Sequence, residues 1–443
     1  MTDRKRSSVP TRPALEALPH QWADGPGPYG GFGPENLPYG VDEEGRAVVA
    51  YGDEVIDLAA LALHDRDRDK GFLADGAGVA IDPDIFASGS LNALMALGPP
   101  AWTAARRWLR GRLGDLPAAV LRPRDETRLV LPFEVADYVD FYSCEAHVVA
   151  MGRLLRPGED PLPPAWRHLP IGYHGRSATV VVSGEAVPRP AGIIAAEGSP
   201  QQGPTRRLDV EVELGFVIGV GNPRGEPVAA GRAGEHVFGV VLVNDWSARD
   251  IQAFEYRPLG PFLGKSFATS VSPWLVPLEA LRPYRVAGPV QAPDPAPYLR
   301  VPEPRGLDVN FELSLNGTVI STTTAAGLYW SMAQQMAHLT VNGAATRTGE
   351  LFATGTISGT EPASAGSLME LTSGGREPLF LDDGSTRAWL EDGDEVVIRG
   401  WCGTRGEPGW VSLGEVRGRV VSPGGRTVAD DVADGAREEV VRK

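Results

Sequence analysis

The chain has 443 residues, 42% of them hydrophobic, with 54 glycines, 39 prolines and a formal net charge of −15. That length and apolar content suit two globular units, and glycine and proline scattered without a period point to short strands joined by many turns, hence a mainly β fold rather than collagen or a disordered tract. The acidic balance disfavours nucleic acid or an anionic membrane as partner; with only two distant cysteines, Cys144 and Cys402, and no long apolar run, the expected compartment is reducing cytoplasm.

Residues 1 to 28 are polar and rich in Pro and Gly, which predicts a flexible lead-in. From Asn36 to Leu61 short apolar runs alternate with turn signals, the pattern of hairpins in a small barrel. Between Ala101 and Leu113 the period changes: Trp102, Ala105, Trp108, Leu109 and Leu113 fall on one stripe with arginines opposite, which predicts a surface helix. A polar turn at 123–128 suggests a division into an N-terminal unit over 1–124, a larger unit over 125–425, and a charged, frayed tail over 426–443.

The larger unit opens with Tyr138-Val-Asp-Phe-Tyr-Ser-Cys-Glu-Ala-His, which places Asp140, Tyr142 and His147 within eight residues, with His147 in the early turns of an expected helix and Arg156 just beyond. After the loop Gly172-Tyr-His-Gly-Arg comes Arg207-Leu-Asp-Val-Glu-Val-Glu-Leu. On an extended strand Asp209, Glu211 and Glu213 would share one face and Leu208, Val210, Val212 and Leu214 the other. Three carboxylates in a row repel one another, so this is either a solvated edge strand or the wall of a cation site. Residues Val237 to Val243 are continuously apolar, as in a strand buried on both faces, and end at Asn244-Asp-Trp-Ser-Ala-Arg-Asp. Ser247 with Asp250 resembles a capping box, placing Asp245 where a buried strand gives way to a helix from which Arg249, Gln252 and Tyr256 project together. Lys265 follows in a loop with apolar neighbours, a helix is expected over about 324–339, and Glu370 falls between Met369 and Leu371 on an expected apolar strand. A lone Glu there must be paired or exposed.

Six segments in order, Asp140-Phe-Tyr-Ser, Gly172-Tyr-His-Gly-Arg, Leu208-Asp-Val-Glu-Val-Glu, Asn244-Asp-Trp-Ser-Ala-Arg-Asp-Ile-Gln, Pro258-Leu-Gly-Pro-Phe-Leu-Gly-Lys-Ser-Phe and Gly355-Thr-Ile-Ser-Gly, resemble the fumarylacetoacetase family. The resemblance implies an N-terminal SH3-like barrel, a larger mixed-β roll, a homodimer, and hydrolysis of a carbon–carbon bond in a β-diketo acid with Ca²⁺ and Mg²⁺ as cofactors. It implies Asp140, Glu211, Glu213 and Asp245 as metal ligands, with Lys265 and Thr269 around a second, structural Mg²⁺. His147 would be the general base and Glu370 the carboxylate that orients it. Arg249, Gln252 and Lys265 would face developing charge, and Tyr142, Arg156, Tyr173, Gln252, Tyr256 and Thr356 would contact substrate. Cys144 stands where the family has a hydroxyl residue; without a basic neighbour to activate it, it is not expected to be a nucleophile. The competing readings are a related acylpyruvase or oxaloacetate decarboxylase, and a metal-dependent binding protein. The latter would need no base, so the distance between His147 and Glu370 discriminates.

Overall fold

A computed structural model describes residues 30–66 and 81–423, so the expected lead-in and tail lie outside the described residues. Tyr39–Asp42, Ala47–Tyr51 and Glu54–Asp57 form an antiparallel meander, flanked by Leu121–Pro123 on one edge and Leu129–Val130 on the other. This is the small N-terminal unit expected from the turn-separated apolar runs. Its last strand lies beyond the expected division at 124.

Of the expected stripe on the helix Pro99–Arg112, Ala105 and Leu109 are buried and Trp102, Trp108 and Leu113 partly so, but the arginines are not all on its solvent side. Arg112 is buried with its Nε 2.9 Å from Asp65 Oδ2, and Arg106 is buried with its guanidinium on the carbonyls of Glu35 and Asn36. Long guanidinium stems can reach across a helix end to a fixed acceptor, which a hydrophobic pattern does not register.

The larger unit is built on an eight-stranded mixed sheet whose centre pairs Val212–Ile218 with Val237–Asp245, Gly215 opposite Val241. Alternation decides what covers each face. Leu214, Phe216, Val240 and Leu242 point into a core shared with Phe311, Leu313, Ile398 and Val416 of a second, five-stranded sheet. Val217, Val241 and Val243 point the other way, into a core shared with Val41, Val49 and Ile56 of the N-terminal unit. The uninterrupted apolar run is thus a strand covered on both sides, each buried large side chain contributing roughly 1.5–3 kcal/mol. Two parallel pairings, Leu351–Ala353 with Tyr138–Phe141 and Thr269–Val271 with Val180–Val182, make the sheet mixed.

Three local expectations change. The acidic segment is no solvated edge: Val212–Ile218 is paired on both sides, and the chain breaks at Val210 and Glu211 between the short strand Leu208–Asp209 and the longer one, so the three acids diverge. Residues Thr318–Thr324 form a strand, and the helix is Met332–Thr340, started by a capping box of Ser331 and Gln334. Glu370 lies in one helical turn, Leu368–Leu371, whose first N–H groups are met by Ser367 and Asp209. Among the described residues no helix is long and apolar enough to cross a membrane.

Candidate active site

Three strands of the large sheet each deliver a carboxylate: the adjacent pair Val212–Ile218 and Val237–Asp245, and Tyr138–Phe141, which Leu351–Ala353 separates from that pair. Oxygens of Asp140, Glu213 and Asp245 lie within 4.8 Å of one another, all buried. Among the described residues neither oxygen of Glu213 has a hydrogen-bond partner, nor does Asp140 Oδ1. Burial, reinforced by the other acids, pushes the Asp140 and Glu213 carboxyls well above their usual range, and burial raises Asp245 as well. Buried, unpartnered carboxylate oxygens facing each other without a nitrogen or sulfur donor fit a hard divalent cation.

Glu211 stands beside this cluster with its own partners. Its carboxylate takes Lys265 Nζ on one oxygen and Arg249 Nη2, 2.8 Å away, on the other. Burial alone would raise its pKa, but these cations outweigh it and hold the group below the ordinary carboxylate range. Lys265 Nζ also lies 2.7 Å from Asp245 Oδ2, and Thr269 Oγ1 donates to Asp245 Oδ1 at 2.9 Å. Although burial disfavours the ammonium, Asp245 and Glu211 keep Lys265 above its usual pKa. A protonated amine has no lone pair to give a metal, so Lys265 acts here as a counter-charge between two carboxylates.

Asp209, read from the sequence as a third member of the acid row, turns away from the cluster. It accepts Arg249 Nε at 2.7 Å and the backbone N–H groups of Val210, Leu368 and Met369. It therefore ties the turn bearing Glu370 to the helix bearing Arg249. Asp209→Asn is expected to lower unfolding free energy by about 3 kcal/mol, because a broken buried pair leaves Arg249 partly uncompensated. Equilibrium urea unfolding checks this, and a wild-type midpoint would assign Asp209 a dispensable role.

His147, in the first turn of the helix Glu145–Leu155, donates from Nδ1 to Glu370 Oε2 at 2.7 Å. The same oxygen accepts Ser358 Oγ at 3.0 Å and Ser367 Oγ at 2.7 Å. With Nδ1 fixed as donor, the other ring nitrogen is the free base. The Tyr142 ring stands edge-on to the imidazole, centroids 5.5 Å apart. Gly355, at φ +75°, lets the chain turn where a Cβ would meet Phe141 O at 2.2 Å, and the next residue, Thr356, buries an Oγ1 without a partner among the described residues.

Asp140, Tyr142, His147, Arg156, Tyr173, Glu211, Arg249, Gln252, Tyr256, Lys265 and Thr356 line one cavity of about 560 Å³, with Glu213, Asp245 and Glu370 behind its wall. Two expected roles are constrained by the contacts: Arg249 is taken up by Asp209, Glu211 and Gln252 Oε1, and Arg156 donates one nitrogen to Pro161 O. Ser358 and Ser367 were not identified from sequence. Ser358 sits in the Gly-Thr-Ile-Ser segment, and Ser367 three residues before Glu370 is a helix-cap signal.

Cys144 is buried at the start of the histidine's helix, with Sγ 3.0 Å from Ser358 O, and burial pushes its thiol up to about 11. Both cysteines are free and buried. The native protein at pH 8 is expected to leave Ellman's reagent unreacted and the unfolded chain to consume two equivalents. Fast reaction of one native thiol would contradict this.

The family profile described as Fumarylacetoacetate (FAA) hydrolase C-terminal matches residues 138–421, and that described as Fumarylacetoacetase N-terminal matches residues 35–134. The chain is 43% identical over 412 residues to fumarylacetoacetase of Homo sapiens, covering 87% of this chain and 95% of that protein. It is 41% identical over 411 residues to fumarylacetoacetase of Arabidopsis thaliana, with the same coverage. Among solved structures it shares the fold of the fumarylacetoacetate hydrolase from psychrophilic Exiguobacterium antarcticum, at a TM-score of 0.51 and 17% identity, over 87% of this chain and 99% of that one.

Proposed function

Since the chain belongs to the fumarylacetoacetase family, we propose that it hydrolyses 4-fumarylacetoacetate to fumarate and acetoacetate, the closing step of tyrosine and phenylalanine breakdown. The observation that carries this reading is one cavity lined by both an oriented histidine and Asp140, behind which the buried carboxylates of Glu213 and Asp245 complete an acidic cluster. The 2.7 Å contact between His147 and Glu370 favours a catalyst over a binding protein, which has no use for a base.

Asp140, Glu213 and Asp245, with Glu211 beside them, would hold Ca²⁺ or Mg²⁺, whose Lewis acidity would polarise the carbonyl under attack. His147 takes a proton from water as its oxygen bonds to the fumaryl carbonyl carbon, and Glu370 stabilises the imidazolium. When the bond to the neighbouring methylene carbon breaks, the electron pair leaves with acetoacetate as an enolate. The imidazolium then returns its proton to that carbon. Lys265 and Gln252 place donors toward this charge, and Arg156 with Tyr142 and Tyr256 would receive a terminal carboxylate. Arg249 would act mainly by fixing Glu211 and Gln252. All these residues fall in the unit proposed for 125–425. We assign the protein to the cytoplasm and to a homodimer; exposed Phe254, Leu259, Phe262 and Leu263 near the cavity mouth offer an apolar face for a second subunit.

The test is the loss of fumarylacetoacetate absorbance with purified protein and added Ca²⁺ or Mg²⁺. No loss with either ion overturns the reading. Sedimentation velocity checks the dimer.

A further inference from the structure

A second cavity, of about 230 Å³, lies where the N-terminal unit meets the large sheet, on side chains that take no part in the chemistry above. The helix Pro99–Arg112 presents Pro99, Trp102, Thr103 and Arg106 to it, residues at spacings of three and four and hence on one face. The wall opposite comes from 234–238 and 277–285. Its chemistry is divided. Tyr39, Phe238 and Trp102 form an aromatic side, with Trp102 edge-on to Phe238 at 5.2 Å and Tyr39 5.6 Å from Phe238. Arg106, Arg282 and Arg285 form a cationic side, with Glu279 the one acid among the described lining residues. In a chain of net charge −15 such a cluster of guanidiniums stands apart.

Arg106 is the telling residue. It is 3% exposed, and its two terminal nitrogens are occupied by the carbonyls of Asn36 and Glu35. Among the described residues its Nε has no hydrogen-bond partner, and the acid paired with it, Glu279 Oε1, is 3.8 Å away, too far to accept. Buried donors in native proteins are almost always satisfied, by protein or by something bound. Junctions between units are also common places for ligand cavities.

We propose that this cavity is a binding site for a small, flat carboxylic acid, whose carboxylate satisfies Arg106 Nε with Arg282 or Arg285 and whose apolar body lies against Trp102 and Phe238. Glu279 is the competing anion in the unliganded protein. Because the walls come from both units, the occupant ties the N-terminal helix to the catalytic sheet. The site is independent of the proposed hydrolysis.

Benzoate is a suitable probe: it is flat, carries one carboxylate and fits the volume. Saturation-transfer NMR on the full chain should give a saturable curve. Arg282→Gln should weaken binding about tenfold, as loss of one charge-assisted contact, whereas Glu279→Gln should tighten it by removing the competitor. Both variants should keep wild-type turnover. This opposite sign is what a generic effect on folding would not produce. Absence of saturation into tens of millimolar overturns the proposal. So does unchanged affinity in both variants, or binding that is lost in Arg156→Ala and kept in Arg282→Gln, which would place benzoate in the catalytic cavity.

Discussion

His147→Ala is expected to lower kcat by roughly 10²–10⁴-fold, the usual worth of a positioned general base, with folding and metal content unchanged. Glu370→Gln should also lower it, though less. The amide oxygen can take the place of Oε2 and accept the same donors, but the group no longer carries the charge that stabilises the imidazolium. The double variant should be about as slow as His147→Ala alone, because residues that act as one unit lose their effect together. Stopped-flow or steady-state turnover of the three variants, with circular dichroism and elemental analysis as controls, measures this. A double variant slowed by the product of the two single losses would show the residues acting independently.

Chelation is expected to abolish turnover and to lower the thermal midpoint by several degrees. A ligand held at a hundred times its dissociation constant contributes roughly 2.7 kcal/mol to stability, and removing it leaves the carboxylates of Asp140, Glu213 and Asp245 facing one another. Glu213→Gln separates the two effects. It should cost most of the activity, yet the chelated variant should unfold at a higher temperature than the chelated wild type, since one of three repelling carboxylates has become neutral. Differential scanning calorimetry with and without EDTA reads both. Full activity in excess EDTA, with no metal retained by elemental analysis, sinks the metal site altogether.

The legibility of the sequence depended on how far each local pattern extended. The run from Val237 to Val243 was long enough to declare a doubly covered strand, and it placed Asp245 correctly at the strand's end. The acidic alternation from Leu208 to Leu214 misled at one point: a backbone break at Val210 and Glu211 sends Asp209 to Arg249 while Glu213 enters the cluster. Side-chain alternation holds only while the chain stays extended. Leu368-Met-Glu-Leu is too short to tell a period of 2 from one of 3.6. The cap residue Ser367, which the sequence reading passed over, marks the helical turn instead. The helix expected from about 324 starts only at Met332, where Ser331 and Gln334 cap it, because the branched side chains of Thr322 to Thr324 favour the strand they occupy. The partnership of His147 with Glu370 came from family resemblance, since nothing local joins residues so far apart.

That separation has a consequence for how the protein is made. After His147 is synthesised, 223 further residues must follow before its carboxylate partner exists. The N-terminal meander can close early on local contacts. The strand Tyr138–Phe141, by contrast, gains Gly172–His174 on one side early but waits for Leu351–Ala353 on the other, and Asn310–Leu315 waits for Glu395–Cys402. During translation the apolar faces of the central strands therefore stand uncovered for much of the chain's growth, the situation in which nascent chains depend on chaperones. A premature stop shortly before residue 411 would spare every residue of the active site and still leave Glu395–Cys402 without Val411–Val421, the neighbour that closes its sheet. Such a truncated product would carry all the chemistry and be lost to aggregation.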